Sequence, residues 1–360
     1  MRAALAALIV GAVLLRLGAY AALAVPYGGL VEAMCRFDCG WYERIALAGY
    51  GADAGWPPYG SMPHWAFFPL YPMLLRLGAT ASGLPAQPVG IALSSLFLAG
   101  FMAAGAAYLR ATRGAQAAPA RFVVLAAVVP CGLFFTALYT EALFAFLATL
   151  ALLGLAHARP GAGAVAAALT SATRPTGILL APVFAVRGLL ALRREGIRAL
   201  LPAVIAPLGL VGYMAAQWIA VGDPLAFSHV QEYWGREWRG PQAFLWDGLA
   251  AWDWAGLGTL EASRSFLAAW GVLGLAASLW LALRRHWAEA WLLAGGVLLP
   301  AATGLDSMAR FVACNPAFLF AVHDVLARLD RRVAWAVLAL LAALGVVPVL
   351  SWMQDRPAVF

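Results

Sequence analysis

The chain has 360 residues, of which 64% are apolar and only 11% charged, and its mean hydropathy is +0.82. A soluble domain carries roughly a quarter charged residues, so the composition excludes a soluble globular protein and leaves an all-α polytopic membrane protein. The formal net charge of +7 reads as a membrane-topology signal, and no nucleic-acid partner is expected.

Apolar blocks long enough to cross a hydrocarbon core of about 30 Å predict eleven spans. They lie near residues 3–25, 88–109, 121–138, 139–157, 161–173, 175–187, 199–221, 265–283, 287–304, 311–328 and 333–352. The fifth and sixth are short. The first reads as a retained helix and not a cleaved signal peptide, because Arg16 interrupts its apolar core and no small-residue cleavage pattern leads into a soluble domain. No segment between spans is long enough to fold apart, so residues 1–360 are expected to form one integral membrane domain.

With a cytoplasmic N-terminus, Arg2, Arg110, Arg113, Arg121, Arg159, Arg187, Arg193, Arg194, Arg198, Arg284, Arg285, Arg328, Arg331 and Arg332 all fall inside, as the positive-inside rule favours. Asp38, Glu43, Asp53, Glu141, Asp223, Glu232, Glu237, Asp247, Asp253, Glu261 and Asp306 fall outside. The chemistry is therefore expected on the extracytoplasmic face of the cell membrane. Two outward loops are long, residues 26–87 and 222–263, and long loops in a compact fold are usually functional or disordered. In the first, the run from Trp41 to Ala48 places aromatic and apolar residues at helical spacing and suits a helix lying in the membrane interface. Gly49-Tyr50-Gly51 and Trp56-Pro57-Pro58-Tyr59-Gly60 read as turn and irregular backbone. The second loop holds Trp234, Trp238, Trp246, Trp252 and Trp254, which read as an interfacial belt.

Several motifs follow one another in order. Asp38-Cys39-Gly40-Trp41-Tyr42 precedes Arg44-Ile45-Ala46, Gly49-Tyr50 and the block Ala66-Phe67-Phe68-Pro69-Leu70-Tyr71-Pro72. Tyr139-Thr140-Glu141, Arg174-Pro175-Thr176-Gly177, Gly222-Asp223-Pro224-Leu225-Ala226-Phe227 and Ala309-Arg310-Phe311 come later. Together they resemble the PIG-V type of GPI mannosyltransferase and its prokaryotic relatives, over nearly the whole chain. The resemblance implies a GT-C fold with a catalytic aspartate in the first outward loop and a sugar donor carried on a polyprenyl phosphate. No glycine-rich turn of a nucleotide-binding domain is present, which agrees with a lipid-linked donor. Inverting transfer needs one carboxylate to take the proton from the attacking acceptor hydroxyl, and Asp38 is the candidate base. Its alternative role is the N-cap of the following helix.

The leaving lipid phosphate gains negative charge and needs cations or hydrogen-bond donors. Arg174, Arg310 and Arg44 are the candidates for it. Arg174 lies between two short apolar stretches and should face a polar cavity, either as a phosphate ligand or as a partner of Glu141 or Asp306. For Arg310 the alternative is an i,i+4 ion pair with Asp306. Glu141 is either a substrate contact or a carboxylate placed favourably at a helix start, and Glu43 is either a pocket residue or part of a solvated helix face. His64 and His229 are each either partners of a sugar or phosphate or structural histidines. The aromatic block from Trp65 to Tyr71 is either a stacking wall or interface packing.

Cys35 and Cys39 face an oxidising compartment in this topology, but the shortness of their loop argues against a disulfide; Cys131 and Cys314 behave as small hydrophobes. The four cysteines make no zinc pattern, and neither a metal nor another cofactor is expected. The expected partners are the bilayer, a polyprenyl-phosphate sugar and a glycolipid, glycan or protein acceptor; the eukaryotic relatives also work with a small membrane subunit. The rival readings are transfer of another lipid-linked sugar, such as glucose or arabinofuranose, and a lipid-linked sugar flippase or transporter. A transporter predicts symmetry between two halves, which the chain does not display.

Overall fold

A computed structural model describes residues 2–51, 63–250, 252 and 264–356. Asp53, the run from Trp56 to Gly60, Asp253, Trp254 and Glu261 lie outside the described residues. Among the described residues every regular element is helical. The α-helices are α1 (Arg2–Ala24), α2 (Leu30–Met34), α3 (Cys39–Ala48), α4 (Leu70–Ser82), α5 (Ala86–Arg113), α6 (Pro119–Val128), α7 (Glu141–Ala156), α8 (Pro160–Ser171) and α9 (Leu180–Glu195). They continue as α10 (Leu201–Ile205), α11 (Leu208–Val221), α12 (Ala226–His229), α13 (Pro241–Ala250), α14 (Arg264–Leu283), α15 (Trp287–Ala301), α16 (Met308–Ala313), α17 (Pro316–Leu326) and α18 (Arg331–Met353).

Among the described residues five stretches are long and apolar enough to cross a membrane: Ala3–Tyr27, Ala86–Gln116, Pro175–Ile205, Arg264–Leu283 and Arg331–Met353. Five further apolar helices have only 10–17 residues. The eleven hydropathy blocks therefore do not correspond to eleven uniform helices, and three of them break at a proline. The block at 121–138 is helical only to Val128, because Pro130 cannot continue the ladder and drives Val129 to φ −54°, ψ 128°. Residues Gly132–Phe135 then form a 3-10 turn. The block at 199–221 breaks before Pro207, and the block at 311–328 divides around Asn315-Pro316, where the Asn315 side chain caps α17 by accepting from the Ala317 N–H at 3.0 Å.

Broken helices leave carbonyls that must be satisfied inside the protein. Arg16, which is only 6% exposed, does this for the end of α6: it donates to the carbonyls of Ala127 and Gly132 and to Thr136 Oγ1 at 2.8 Å. The guanidinium also sits where the α6 dipole is negative. Long α5 packs on α7, α6, α4 and α1, and small residues allow the close approaches. A Cβ on Gly105, for instance, would lie 2.3 Å from the Phe122 ring.

The end of α5 is tied down by a second charged cluster. Arg113 donates to Glu289 at 2.7 and 2.6 Å and to Asp324 at 3.0 and 3.2 Å, while Tyr108 donates to Glu289 at 2.6 Å. The Arg113 and Glu289 side chains are 3% and 1% exposed. Arg113 is thus more than a topology charge, since it joins α5 to α15 and α17. Removing one member of a buried pair strands the others and costs about 3–5 kcal/mol. Arg113→Met is accordingly expected to lower the thermal unfolding temperature in detergent sharply, whereas the exposed Arg194→Met leaves it unchanged.

Candidate active site

The first loop carries Asp38 at the entrance to α3. Phe37 has φ +50°, a left-handed conformation that costs a bulky residue about 1–2 kcal/mol and turns the chain between α2 and α3. Several contacts hold it there. Cys35 and Cys39 form a disulfide with a Cα–Cα distance of 5.2 Å, correcting the expectation drawn from their short loop: the turn leading into α3, closed by the Cys39 N–H donating to the Arg36 carbonyl at 3.1 Å, brings the two Cα atoms into bonding range. The Phe37 ring lies 5.2 Å from that of Trp352, whose indole N–H donates to the Ala33 carbonyl at 2.8 Å. Arg36 pairs with Asp355 at 3.0 Å.

Tyr139 fixes the aspartate itself. Its hydroxyl accepts from the Asp38 backbone N–H at 3.0 Å and donates to the Arg36 carbonyl at 3.1 Å. Asp38 occupies the N-cap position of α3 but its side chain makes no capping bond, because the carboxylate turns to Arg310, whose Nη1 donates to Oδ2 at 3.1 Å. Among the described residues Oδ1 has no hydrogen-bond partner.

Behind this pair, Glu141 Oε1 lies 3.4 Å from Arg310 Nε and accepts from Arg174 Nη1 at 2.6 Å. Four residues from four separate elements thus form an alternating chain, Arg174, Glu141, Arg310, Asp38. Glu141 starts α7, where a carboxylate is favourable. Arg174 is extended, the conformation favoured for a residue before proline. Arg310 comes from α16, which begins after Ser307 at φ +67°. Aromatic faces wall the cations: Arg310 lies 5.2 Å from Phe134 and 5.3 Å from Tyr139, and Arg174 lies 4.9 Å from Phe311. The two carboxylates differ in access, since the Asp38 side chain is 27% exposed and that of Glu141 only 1%. The i,i+4 pairing of Arg310 with Asp306 is replaced by these contacts, and Asp306 is exposed at the rim.

The other candidates lie apart from this chain. Glu43 accepts from Gln87 Nε2 at 3.1 Å and joins α3 to α5. Tyr71 is fully buried, with its hydroxyl 2.9 Å from Ser94 Oγ and 3.2 Å from the Gly90 carbonyl. The rest of the aromatic block is core: Trp65, Phe67 and Phe68 are 3%, 7% and 2% exposed, and Tyr213 donates to the Trp65 carbonyl at 2.9 Å. Arg44 is exposed on α3, and its charge acts on His64. His229 Nδ1 lies 2.7 Å from Asp223 Oδ2 on an exposed part of the second loop. In that loop Trp238 and Trp246 are exposed, while Trp234 meets the Phe67 ring edge-on at 6.1 Å. Among the described residues no three His, Cys, Asp or Glu side chains converge on a metal-sized site.

Two further residues belong to the site without having been marked as site residues by the sequence. Tyr139 lies in a recognised motif, but only the geometry reveals its hold on Asp38. Arg236, in the second loop, is partly buried and within electrostatic reach of Arg310, Asp306, Asp38 and Arg174.

No protein-family model matches the sequence, and neither does any curated protein. Among solved structures, the apo oligosaccharyltransferase of Archaeoglobus fulgidus, a GT-C glycosyltransferase, aligns at a TM-score of 0.52 and 12% identity over 97% of this chain. The fold is of the GT-C type. The chain spans 56% of that protein's length. A second structure of the archaeal enzyme, in complex with an inhibitory peptide and a dolichol-phosphate, aligns at a TM-score of 0.44 and 13% identity over 89% of this chain and 51% of the other.

His64 is buried beside the rings of Tyr50 and Trp65, at 6.0 and 5.3 Å. Desolvation presses its pKa down to about 4, below the usual value near 6.5. The unfolded chain therefore binds the proton more readily, so the stability this ring contributes is complete above pH 6.5 and is lost as pH falls toward 4. Thermal melting of wild type and His64→Gln is expected to show a steeper loss between pH 6.5 and 4 in the wild type.

Proposed function

We propose that the chain is a membrane mannosyltransferase, a PIG-V-like GT-C enzyme that moves mannose from a polyprenyl phosphate to a glycolipid, glycan or protein acceptor on the extracytoplasmic face. The observation that carries the reading is the convergence of one accessible carboxylate, Asp38, with Arg310 and Arg174, braced by buried Glu141. The GT-C fold supports it, and the two first-loop motifs favour mannose. The clustering of 14 of the 24 arginines in the inward joints and the Cys35–Cys39 disulfide support the outer face, because disulfides persist in oxidising compartments.

In this mechanism the acceptor hydroxyl oxygen attacks the anomeric carbon, and the bond from that carbon to the phosphate oxygen breaks on the opposite side. The bonding pair stays on the lipid phosphate, and the hydroxyl proton passes to Asp38 Oδ1, so the anomeric centre inverts. Arg310 holds Oδ2 and thereby directs Oδ1 to the acceptor. Arg310 and Arg174 stabilise the charge that grows on the leaving phosphate. Each carboxylate of the cluster is bound to a guanidinium, so the cations that balance charge are arginines and no metal is required.

Removing a general base slows a reaction by about 10²–10⁴-fold. With radiolabelled polyprenyl-phosphate mannose and a membrane-lipid extract, Asp38→Asn is expected to lose transfer by that factor while still binding donor. Normal transfer by Asp38→Asn would refute its role as base. In the same assay EDTA is expected to leave the wild-type rate unchanged, and inactivation reversed by a divalent cation would refute the metal-free mechanism.

A further inference from the structure

The cations of the site differ in what they bind. Arg174 and Arg310 are engaged by carboxylates, and in the other buried cluster Arg113 is bound by two. Arg236 is not. Among the described residues its Nη1 donates to the neutral amide of Gln231 at 3.1 Å, and its buried Nε has no hydrogen-bond partner. The Asp38 and Asp306 carboxylates lie within electrostatic reach but neither bonds it, so an inward arginine beside two other arginines, held through its side chain by an amide alone among the described residues, has room for an anion. Burial, and then the Arg310 charge, press its pKa down.

Its placement is built, not incidental. Gly235 takes φ +67° and turns the chain just before it, and the Arg236 backbone N–H donates to the Gln231 carbonyl at 3.3 Å. Gln231 is itself fixed by donating to the Phe227 carbonyl at 3.3 Å. On the far side, the N–H groups of Arg239 and Gly240 both donate to the Ala302 carbonyl at 3.0 and 3.2 Å, seating the loop beside the segment that leads to Arg310. Asp306, the nearby acid, is exposed and forms no ion pair with it among the described residues.

We infer that Arg236 is a third phosphate-binding guanidinium, brought by the second long loop to the leaving-group side of the Asp38 site, where it binds the phosphate of a polyprenyl-phosphate sugar. The inference rests on the transferase reading above and extends it to a residue outside the recognised motifs. It gives the second loop a role in donor recognition and makes Gln231 its positioning residue.

The test is equilibrium binding of polyprenyl phosphate, without sugar, to the full-length protein in nanodiscs, with the uncharged polyprenol as the comparison ligand. A hydrogen bond to a charged group corresponds to about tenfold to a hundredfold in affinity, so Arg236→Gln is expected to weaken polyprenyl phosphate by that factor and leave polyprenol unchanged. Arg236→Lys should fall between the two, and Arg239→Gln, whose side chain pairs with Asp247 at 3.2 Å, should bind as wild type. Unchanged polyprenol binding also reports that the variants are folded. If Arg236→Gln binds the phosphate as wild type does while Arg310→Gln is weakened, the inference about Arg236 is overturned and the transferase reading stands. If the wild type does not prefer the phosphate over polyprenol, both fall.

Discussion

A guanidinium or carboxylate inside an apolar helical bundle has to find its counter-charge and its hydrogen-bond partners within the protein. Translocation scales put an unmet arginine at the bilayer centre at about 2.5–3.5 kcal/mol, and other approaches put it far higher. The alternation of Arg174, Glu141, Arg310 and Asp38 supplies the counter-charges across four elements that are distant in sequence. It also orders the carboxylates by access. Glu141 sits between two arginines in the interior and acts as the brace, which leaves Asp38 at the open end of the chain of charges with one oxygen unengaged among the described residues.

The same demand explains why the protein holds Asp38 from so many directions. The aspartate stands on a non-glycine left-handed turn, an arrangement that persists only where its surroundings over-determine it. Here those surroundings are the disulfide, the hydroxyl of Tyr139 and the indole of Trp352 from the end of the last helix. Local sequence therefore supplies the carboxylate, but residues more than 100 and 300 positions away supply its orientation.

Which parts could be read from the sequence follows from how each signal is encoded. A charged residue embedded in apolar sequence is conspicuous, so Asp38, Glu141, Arg174 and Arg310 stood out, and their neighbouring motifs placed them in order. Hydropathy averages over windows and is blind to proline geometry, so blocks crossing Pro130, Pro207 and Pro316 read as single spans although the helices are interrupted there. Arg113 looked like its neighbours in a basic loop, because nothing local marks the arrival of Glu289 and Asp324 from residues far along the chain. Arg236 lies among Glu232, Glu237 and Arg239 in a loop without periodicity, and only the backbone path selects which of these charges turns inward. Tyr71 was conspicuous for the opposite reason: its motif is distinctive, yet its hydroxyl is used to lock α4 onto α5 through Ser94 and Gly90.

Arg16 bears on how the protein is made. During synthesis α1 emerges before the residues that satisfy its guanidinium, Ala127, Gly132 and Thr136, have left the ribosome. Until they arrive, an arginine two-thirds of the way along an otherwise apolar helix resists full burial in lipid. The contacts that satisfy the first helix thus come from the segment running from α6 to Tyr139, the same segment that carries the hydroxyl holding Asp38.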